Sequence, residues 1–473
     1  MIFHSIEFLI FLTCFVTLYW CLSERGQSWL LLIGSYIFYG WIHPWFVTLL
    51  IASTFMDFYL GQAIARSKDR RKLMLIISLG FNLALLGTFK YASFFADNFS
   101  ALLSIAGLSW SPPTLSIFLP AGISFYTFQS IGYIIDVYRG SREPCKSLLH
   151  YANYIAFFPQ LVAGPIERST ALLPQLTQKR QLTLEQVRSG LVLIGWGFIQ
   201  KLVIADNVAL IANEAFSIHY PSFWLVWSGV FAFCIQIYAD FSAYSDIARG
   251  SAKLLGVELM VNFNNPYIAR SPADFWRRWH ISLNQWFKDY LFIPLLGPSR
   301  AGPLRLYLCF MIVFGISGLW HGASWNFVLW GAYHGTLMVI FHLFSKIVPA
   351  RISQASALVP LRVAFMFALT NIGWLLFREH KLSQLVMYLT LSPFAETDVP
   401  ASLPRYFFLS VFIYSLPLWI ETWLEHVVPQ RETAREIWKR FGTPLSIGFV
   451  LASAACILVA ASPNPSDFIY FQF

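Results

Sequence analysis

LYLCFMIVFGISGLWHGASWNFVLWGAYHGTLMVIFHLFS, residues 306–345, runs for forty residues without Asp, Glu, Lys or Arg and holds Trp320-His321-Gly322-Ala323-Ser324-Trp325 near its middle. About 20 apolar residues cross a bilayer as a helix, so this length predicts two crossings, or one crossing and a re-entrant piece. An ionisable side chain at membrane depth costs about 2.5 kcal/mol or more on insertion scales. His321, set between tryptophans in such a run, is therefore a candidate for function. Glycine and alanine follow it, which lets another group approach closely, and Trp325 one turn on is expected to limit water access.

The rest of the chain has the same character. Of 473 residues, 57% are hydrophobic, 18% aromatic and 12% charged, against about 25% charged in soluble domains. Further charge-free windows include 26–56, 98–135, 215–239 and 442–466. The composition predicts an all-α polytopic membrane protein with roughly ten to twelve membrane helices plus re-entrant and interfacial pieces. Met1 to Glu7 has no Lys or Arg, and no small-residue cleavage site follows, so the first helix is expected to be retained. The six cysteines match neither a metal spacing nor a disulfide framework. A net charge of +9 would suggest nucleic acid in a soluble protein; here basic loops on the cytoplasmic side explain it.

Residues 66–72 carry five basic groups against one acid, which places that loop in the cytoplasm, with Gly40 to Pro44 as the outer turn before it. The longest polar region, 249–300, has seven basic residues and three acids and is also expected on the cytoplasmic side. Within it Ser271-Pro272-Ala273-Asp274 has the form of a capped helix start. Phe275, Trp279, Leu283, Trp286, Phe287 and Tyr290 then recur at helical spacing, predicting one amphipathic helix in or near the interface. Elsewhere Pro120-Ala121-Gly122 and Phe158-Pro159-Gln160 with Gly164-Pro165 interrupt apolar windows. Broken helices survive at membrane depth only where protein or water satisfies their backbone groups, so these breaks predict a cavity. Gln129 and Gln160 lie beside them. No internal repeat or linker divides the chain, which reads as a single membrane domain, 1–473.

Two histidines stand apart. An imidazole is a natural proton acceptor near neutral pH, so His321 in a dry cavity can deprotonate a hydroxyl attacking an acyl thioester, or form an acyl-imidazole itself. The plainer reading is a helix-packing histidine, the one assigned to His334 and His342. His280, on the predicted face of Trp276, Leu283 and Phe287, is expected to line the cytoplasmic mouth of a tunnel. Arg277 and Arg278 beside it can meet donor phosphates, although arginines at a membrane surface more often meet lipid head groups. Gln236, Asp240 and Tyr244 form a polar stripe at i, i+4 and i+8 that either orients a catalytic group or, the reading favoured, ties helices together. No Walker A, Rossmann, HExxH or GxSxG pattern supports nucleotide, zinc or serine-hydrolase chemistry, and no metal is expected.

Taken together, Asp274-Phe275-Trp276-Arg277-Arg278-Trp279-His280, Trp286-Phe287-Lys288-Asp289-Tyr290-Leu291-Phe292-Ile293-Pro294 and Trp320-His321-Gly322-Ala323-Ser324-Trp325 resemble the membrane-bound O-acyltransferase family, in its bacterial polysaccharide O-acetylation branch. The segments 238–246 and 157–166 are similar to that branch too, whereas Leu295-Leu296-Gly297 departs from a usual Leu-Gly-Gly turn. The resemblance implies a helical ring with a thin floor, a donor tunnel and an outer funnel, with a catalytic core at about 116–345. It implies His321 as the catalytic histidine, His280 as the second, and Trp276, Arg277, Arg278, Trp279, Trp320, Trp325, Asp240, Tyr244, Gln129 and Gln160 as candidates around the tunnel. Acetyl-CoA is the implied donor substrate, with no permanently bound cofactor.

The implied partner is a periplasmic or membrane-anchored SGNH-like acetyltransferase acting on an exported polysaccharide, and the implied site is the bacterial inner membrane, with lipid but no nucleic acid as a further partner. D-alanyl transfer to teichoic acid from a carrier protein is the nearest alternative. A glycan or lipid-intermediate transporter using His321 and Asp240 as relay groups is an alternative of another class, and a structural scaffold a third.

Overall fold

The computed structural model describes residues 1–110, 118–297, 302–347, 355–427, 432–463 and 466–471; the start of the expected core at about 116 lies outside them. The described residues form helices and turns with no strand. Helices α1 (Ile6–Cys21), α2 (Glu24–Gly40) and α3 (Phe46–Arg66) lead to α4 (Arg71–Leu86), which runs through a π-turn, Gly87–Tyr91, into α5 (Ala92–Ile105). Next come α6 (Ile123–Arg139), α7 (Leu148–Ala156), α8 (Leu184–Phe198), a π-helical stretch Ile199–Ala205, α9 (Asp206–Ser217) and α10 (Phe223–Leu254). The polar region contributes α11 (Pro272–Trp276) and α12 (Ile281–Phe287). The chain continues with α13 (Pro303–His321), α14 (Trp325–Ile347), α15 (Val359–Arg378), α16 (Ser402–Val427) and α17 (Glu432–Ala460). Among the described residues nine helical stretches are long and apolar enough to cross a membrane, and Ile6–Cys21 is a shorter apolar helix.

The fold is organised around α10. Ser222 caps it, its hydroxyl accepting from Leu225 N–H, and its 32 residues span about 48 Å at 1.5 Å per residue. With 89% of its apolar window buried, such a helix must be covered on every side. Here α8, α9, α15 and α16 pack against it. The perimeter is the reverse: Ile10, Ile76, Leu83, Phe95, Phe365 and Leu451 are exposed on outer faces, an apolar belt suited to lipid.

The forty-residue window folds as the expected pair of helices, α13 and α14, broken at Gly322–Ser324. Small residues set their spacing: a Cβ on Gly318 would lie 2.1 Å from the Phe327 carbonyl oxygen, and one on Gly331 2.3 Å from that of Phe314. A free hairpin would leave its tip at an interface. Here only one side of the tip is enclosed: His321, the last residue of α13, is 4% exposed, while Ala323 and Ser324 are half-buried.

Two expectations need correction. Residues 272–292 are not one amphipathic helix, since α11 ends at Trp276 and His280 takes a left-handed backbone, φ 42° and ψ 55°, before α12 begins. Non-glycine residues rarely adopt that conformation. Ile281 N–H donating to Asn262 O and Asn264 N–H to Arg278 O tie down the two sides of the kink. His280 therefore shares no continuous helical face with Trp276, Leu283 and Phe287, because the helix is interrupted at that residue. The last third also matters more than its plain sequence suggested. After α17 the chain turns back into the core, where Phe468 and Ile469 are buried against α10.

Candidate active site

His321 lines a cavity of about 140 Å³ with Lys90, Pro120 to Phe125, Val162, Trp320 and Tyr470. That volume holds about four or five waters, or a small acyl group. The broken segments predicted to surround a cavity supply its walls. Gly122 sits at φ 75°, and a Cβ there would come within 2.5 Å of the Leu161 carbonyl oxygen, so two irregular turns meet at the cavity edge. Around the His321 ring stand Trp320 and Trp330, each with centroids at 5.0 Å, Phe377 at 5.5 Å and Tyr470 at 5.7 Å. Its Nδ1 is buried without a protein partner. An imidazole held by rings on its flanks at the wall of a small cavity is equipped to accept a proton there.

His280 is buried at 1% exposure and does not line an open mouth. Its Nδ1 lies 3.1 Å from Asn262 Oδ1, which also accepts from Ser282 N–H and Oγ–H. Since that oxygen only accepts, the network assigns the proton to Nδ1 and leaves Nε2, which has no protein partner, as the basic nitrogen. Trp320 and Tyr470 flank both imidazoles, at 6.0 and 6.5 Å from the His280 ring. The two histidines predicted from sequence thus share one aromatic enclosure.

Two further cavities adjoin the polar region. One, about 410 Å³, is walled by Trp276, Phe287, Phe292, Phe310, Phe314 and Met338, reaches Ser317 one turn before His321, and carries Arg277, Gln285 and Lys288. Trp276 Nε1 is buried without a protein acceptor. The other, about 660 Å³, holds Arg270, Arg277, Arg278 and Arg362 with, among the described residues, a single carboxylate, Asp274. Asp274 pairs with Arg277 at 3.5 Å and Arg278 at 3.1 Å. Burial works to raise its pKa, but the Arg270 N–H and the two guanidinium groups outweigh that and lower it. Such a site suits a phosphate-bearing anion.

The other sequence candidates divide. Trp276, Arg277, Arg278 and Trp320 line these cavities; Trp279, Trp325, Asp240, Tyr244, Gln129 and Gln160 line none of the three. Trp279 is core, packed on Trp374 at 4.7 Å and Phe263 at 5.0 Å. Trp325, expected to shield His321, is 60% exposed and donates to Asn98 Oδ1, because the chain break turns it outward. Gln129 and Gln160 both donate to the Tyr154 carbonyl, tying the broken helices together. His334 packs on Trp276 and Trp330 with its Nδ1 unpaired rather than bonded to a carbonyl.

Asp240 anchors the returning C-terminal strap. Lys201 Nζ lies 2.9 Å from Asp206 and 3.0 Å from Asp240, all three nearly fully buried, and donates to Ser466 O. Asp240 Oδ2 accepts from Ile469 N–H at 2.7 Å, and Tyr244 stacks on Phe468 at 4.0 Å. The strap so held delivers Tyr470 to the cavity. Sequence reading missed Lys90, Asn262, Lys201 and Tyr470. The two lysines were legible as isolated cations in apolar surroundings, whereas Tyr470 carried no local signal.

Residues 145–372 match the model of the membrane-bound O-acyltransferase family. The chain is 39% identical over 388 residues to a probable alginate O-acetylase AlgI of Pseudomonas putida, covering 81% of this chain and 78% of that one. It is 34% identical over 387 residues to a peptidoglycan O-acetyltransferase of Helicobacter pylori, covering 75% and 71%. To a teichoic acid D-alanyltransferase of Bacillus subtilis it is 28% identical over 249 residues, covering 50% and 61%.

Proposed function

From the premise that this chain belongs to the membrane-bound O-acyltransferase family, we propose that it takes acetyl from cytoplasmic acetyl-CoA and passes it across the bacterial inner membrane for O-acetylation of an exported polysaccharide. His321 supports the reading best: a buried imidazole with an unpaired nitrogen, on a small cavity, one turn from Ser317 of a second cavity with basic residues. The arginine-lined cavity receives the donor phosphates, and the aromatic-walled cavity takes the pantetheine arm toward Ser317.

At the reacting centre His321 removes the proton from an acceptor hydroxyl. The hydroxyl oxygen bonds to the thioester carbonyl carbon, the C–S bond breaks, and the departing thiolate takes up the proton. Atoms balance as acetyl thioester plus alcohol giving ester plus thiol. His280, its Nε2 free and its ring fixed by Asn262, supports the donor side of the enclosure. The acceptor hydroxyl in this reading belongs to the SGNH-like acetyltransferase; a glycan hydroxyl then attacks the carbonyl of the resulting ester, forming the glycan acetate, and the partner's oxygen leaves and takes up the proton that the glycan gave up.

Labelled acetyl-CoA supplied to proteoliposomes containing the protein, with polysaccharide and candidate partner on the far side, tests this. The wild type transfers label, and His321→Ala, folded and inserted, loses about 10²- to 10⁴-fold in rate. Undiminished transfer by His321→Ala refutes the mechanism. Transfer only from a D-alanyl carrier protein reassigns the donor. Glycan export that stops in His321→Ala cells, instead of continuing without ester acetyl groups, points to a transporter.

A further inference from the structure

Lys90 is a cation inside an apolar helical stretch, 71–105, and no carboxylate among the described residues forms an ion pair with it. Charged groups at membrane depth face protein or cavities, pair with other charges or with backbone carbonyls, and mark substrate pathways. Lys90 does so at the reacting centre. Its Nζ donates to the carbonyls of Trp320 at 2.6 Å and His321 at 3.0 Å, and lies 5.8 Å from the centre of the Trp320 ring. The neighbouring Tyr91 hydroxyl donates to Leu319 O at 2.7 Å, and Gly322 N–H to Gly318 O at 3.3 Å. All four carbonyls left open at the end of α13 are thereby satisfied. The π-turn Gly87–Tyr91 brings both side chains to that end, and such turns recur at functional sites.

A neutral donor would satisfy the carbonyls equally well, so the charge needs its own explanation. A helix C-terminus carries about half a negative charge. The tetrahedral oxyanion of acyl transfer would form beside that negative end, against the stabilisation such an intermediate requires. Among the described residues lining the His321 cavity, Lys90 is the one lysine or arginine.

We propose that Lys90 is a positioning residue for transfer at His321, fixing the end of α13 that carries the imidazole and compensating the negative helix terminus beside the reacting carbonyl. The inference rests on the acyl-transfer reading above. Lys90→Met, Lys90→Gln and Lys90→Arg, with His321→Ala alongside, are measured for acetyl transfer from labelled acetyl-CoA, and for folding by fluorescence-detected size exclusion. Sub-ångström misplacement and lost charge compensation are expected to lower kcat of Lys90→Met about 10²-fold, with the KM for acetyl-CoA within about threefold of wild type.

Lys90→Arg, which keeps both charge and donors, retains kcat within about tenfold of wild type. Lys90→Gln, which caps without charge, folds yet loses activity like Lys90→Met, so the test stands even where Lys90→Met does not fold. Wild-type kcat in Lys90→Gln, or equal losses in folded Lys90→Arg and Lys90→Gln, overturns the proposal. An active His321→Ala removes the underlying reading and this inference with it; an inactive His321→Ala beside a fully active Lys90→Gln removes the role of Lys90 alone.

Discussion

Replacing Lys201 with methionine removes the cation from a site where two carboxylates, Asp206 and Asp240, are at most 1% exposed. Breaking a buried ion pair by deleting one partner costs about 3–5 kcal/mol, because the remaining charge is left uncompensated. Lys201→Met leaves two such charges, so the upper end of that range is expected as the loss of stability in detergent. A local effect accompanies it. Lys201 also donates to Ser466 O at 2.8 Å, one of several bonds to charged groups that hold the strap; others are Ser466 Oγ–H and N–H to Asp206 at 2.7 and 3.3 Å and Ile469 N–H to Asp240 at 2.7 Å.

A hydrogen bond to a charged group contributes about 1.5–3 kcal/mol, so losing one shifts strap release by about 10- to 150-fold. Tyr470 forms part of the His321 cavity wall, so acetyl transfer falls as the strap releases. Thermal unfolding of the purified protein and the transfer rate are measured together. The triple variant Lys201→Met, Asp206→Asn, Asp240→Asn carries no uncompensated charge and is expected to recover most of the stability while staying slow, because its strap contacts remain weakened. A triple variant no more stable than Lys201→Met refutes the electrostatic argument. Wild-type stability and rate in Lys201→Met refute the anchoring role altogether.

Asn262→Ala removes the acceptor shared by His280 Nδ1 and Ser282; a loss of about 1–3 kcal/mol and reduced transfer are expected, and unchanged transfer would show that His280 needs no fixed orientation. Gly318→Ala places a methyl 2.1 Å from the Phe327 carbonyl oxygen; it should force α13 and α14 apart, costing about 1–3 kcal/mol, read as a lower melting temperature, whereas Gly315→Ala, whose Cβ meets nothing within 4 Å, serves as the neutral control. Glu167 lies outside the spans, its pKa raised to about 7 by burial despite a Met260 N–H bond and nearby Arg168 and Arg249. The folded state then holds a proton that the unfolded state releases above about pH 4.5, so stability falls as pH rises through about 4.5–7. Glu167→Gln should therefore be the more stable form at pH 8, by on the order of 1–3 kcal/mol, and a melting curve that moves identically with pH in both proteins contradicts this.

How far the sequence carried the reading varies with the range of the interaction involved. Membrane character, helix positions and the hairpin at 306–345 were legible, because bilayer thickness fixes how long an apolar run must be. The importance of His321 followed from the cost of placing an imidazole in such a run. His280 was found through its motif, but for a mistaken geometric reason: helical periodicity assumed a continuous helix, and the left-handed turn at His280 breaks it. That turn is held by Asn262 and Arg278 backbone contacts, which no local pattern announces.

Sequence by itself determined that this chain is a polytopic helical membrane protein, which histidines to examine, and where helices break. Tertiary structure decided what surrounds those histidines. Lys90 closes the end of α13 from 231 positions earlier in the chain, and Tyr470 arrives from nearly 150 positions later, on a strap held by Lys201, Asp206 and Asp240. Apolar periodicity records only whether a residue faces lipid or protein. It is silent on which distant carbonyl, carboxylate or ring will be its neighbour, and in a bundle this aromatic those pairings are fixed by packing and by the need to satisfy each buried polar group.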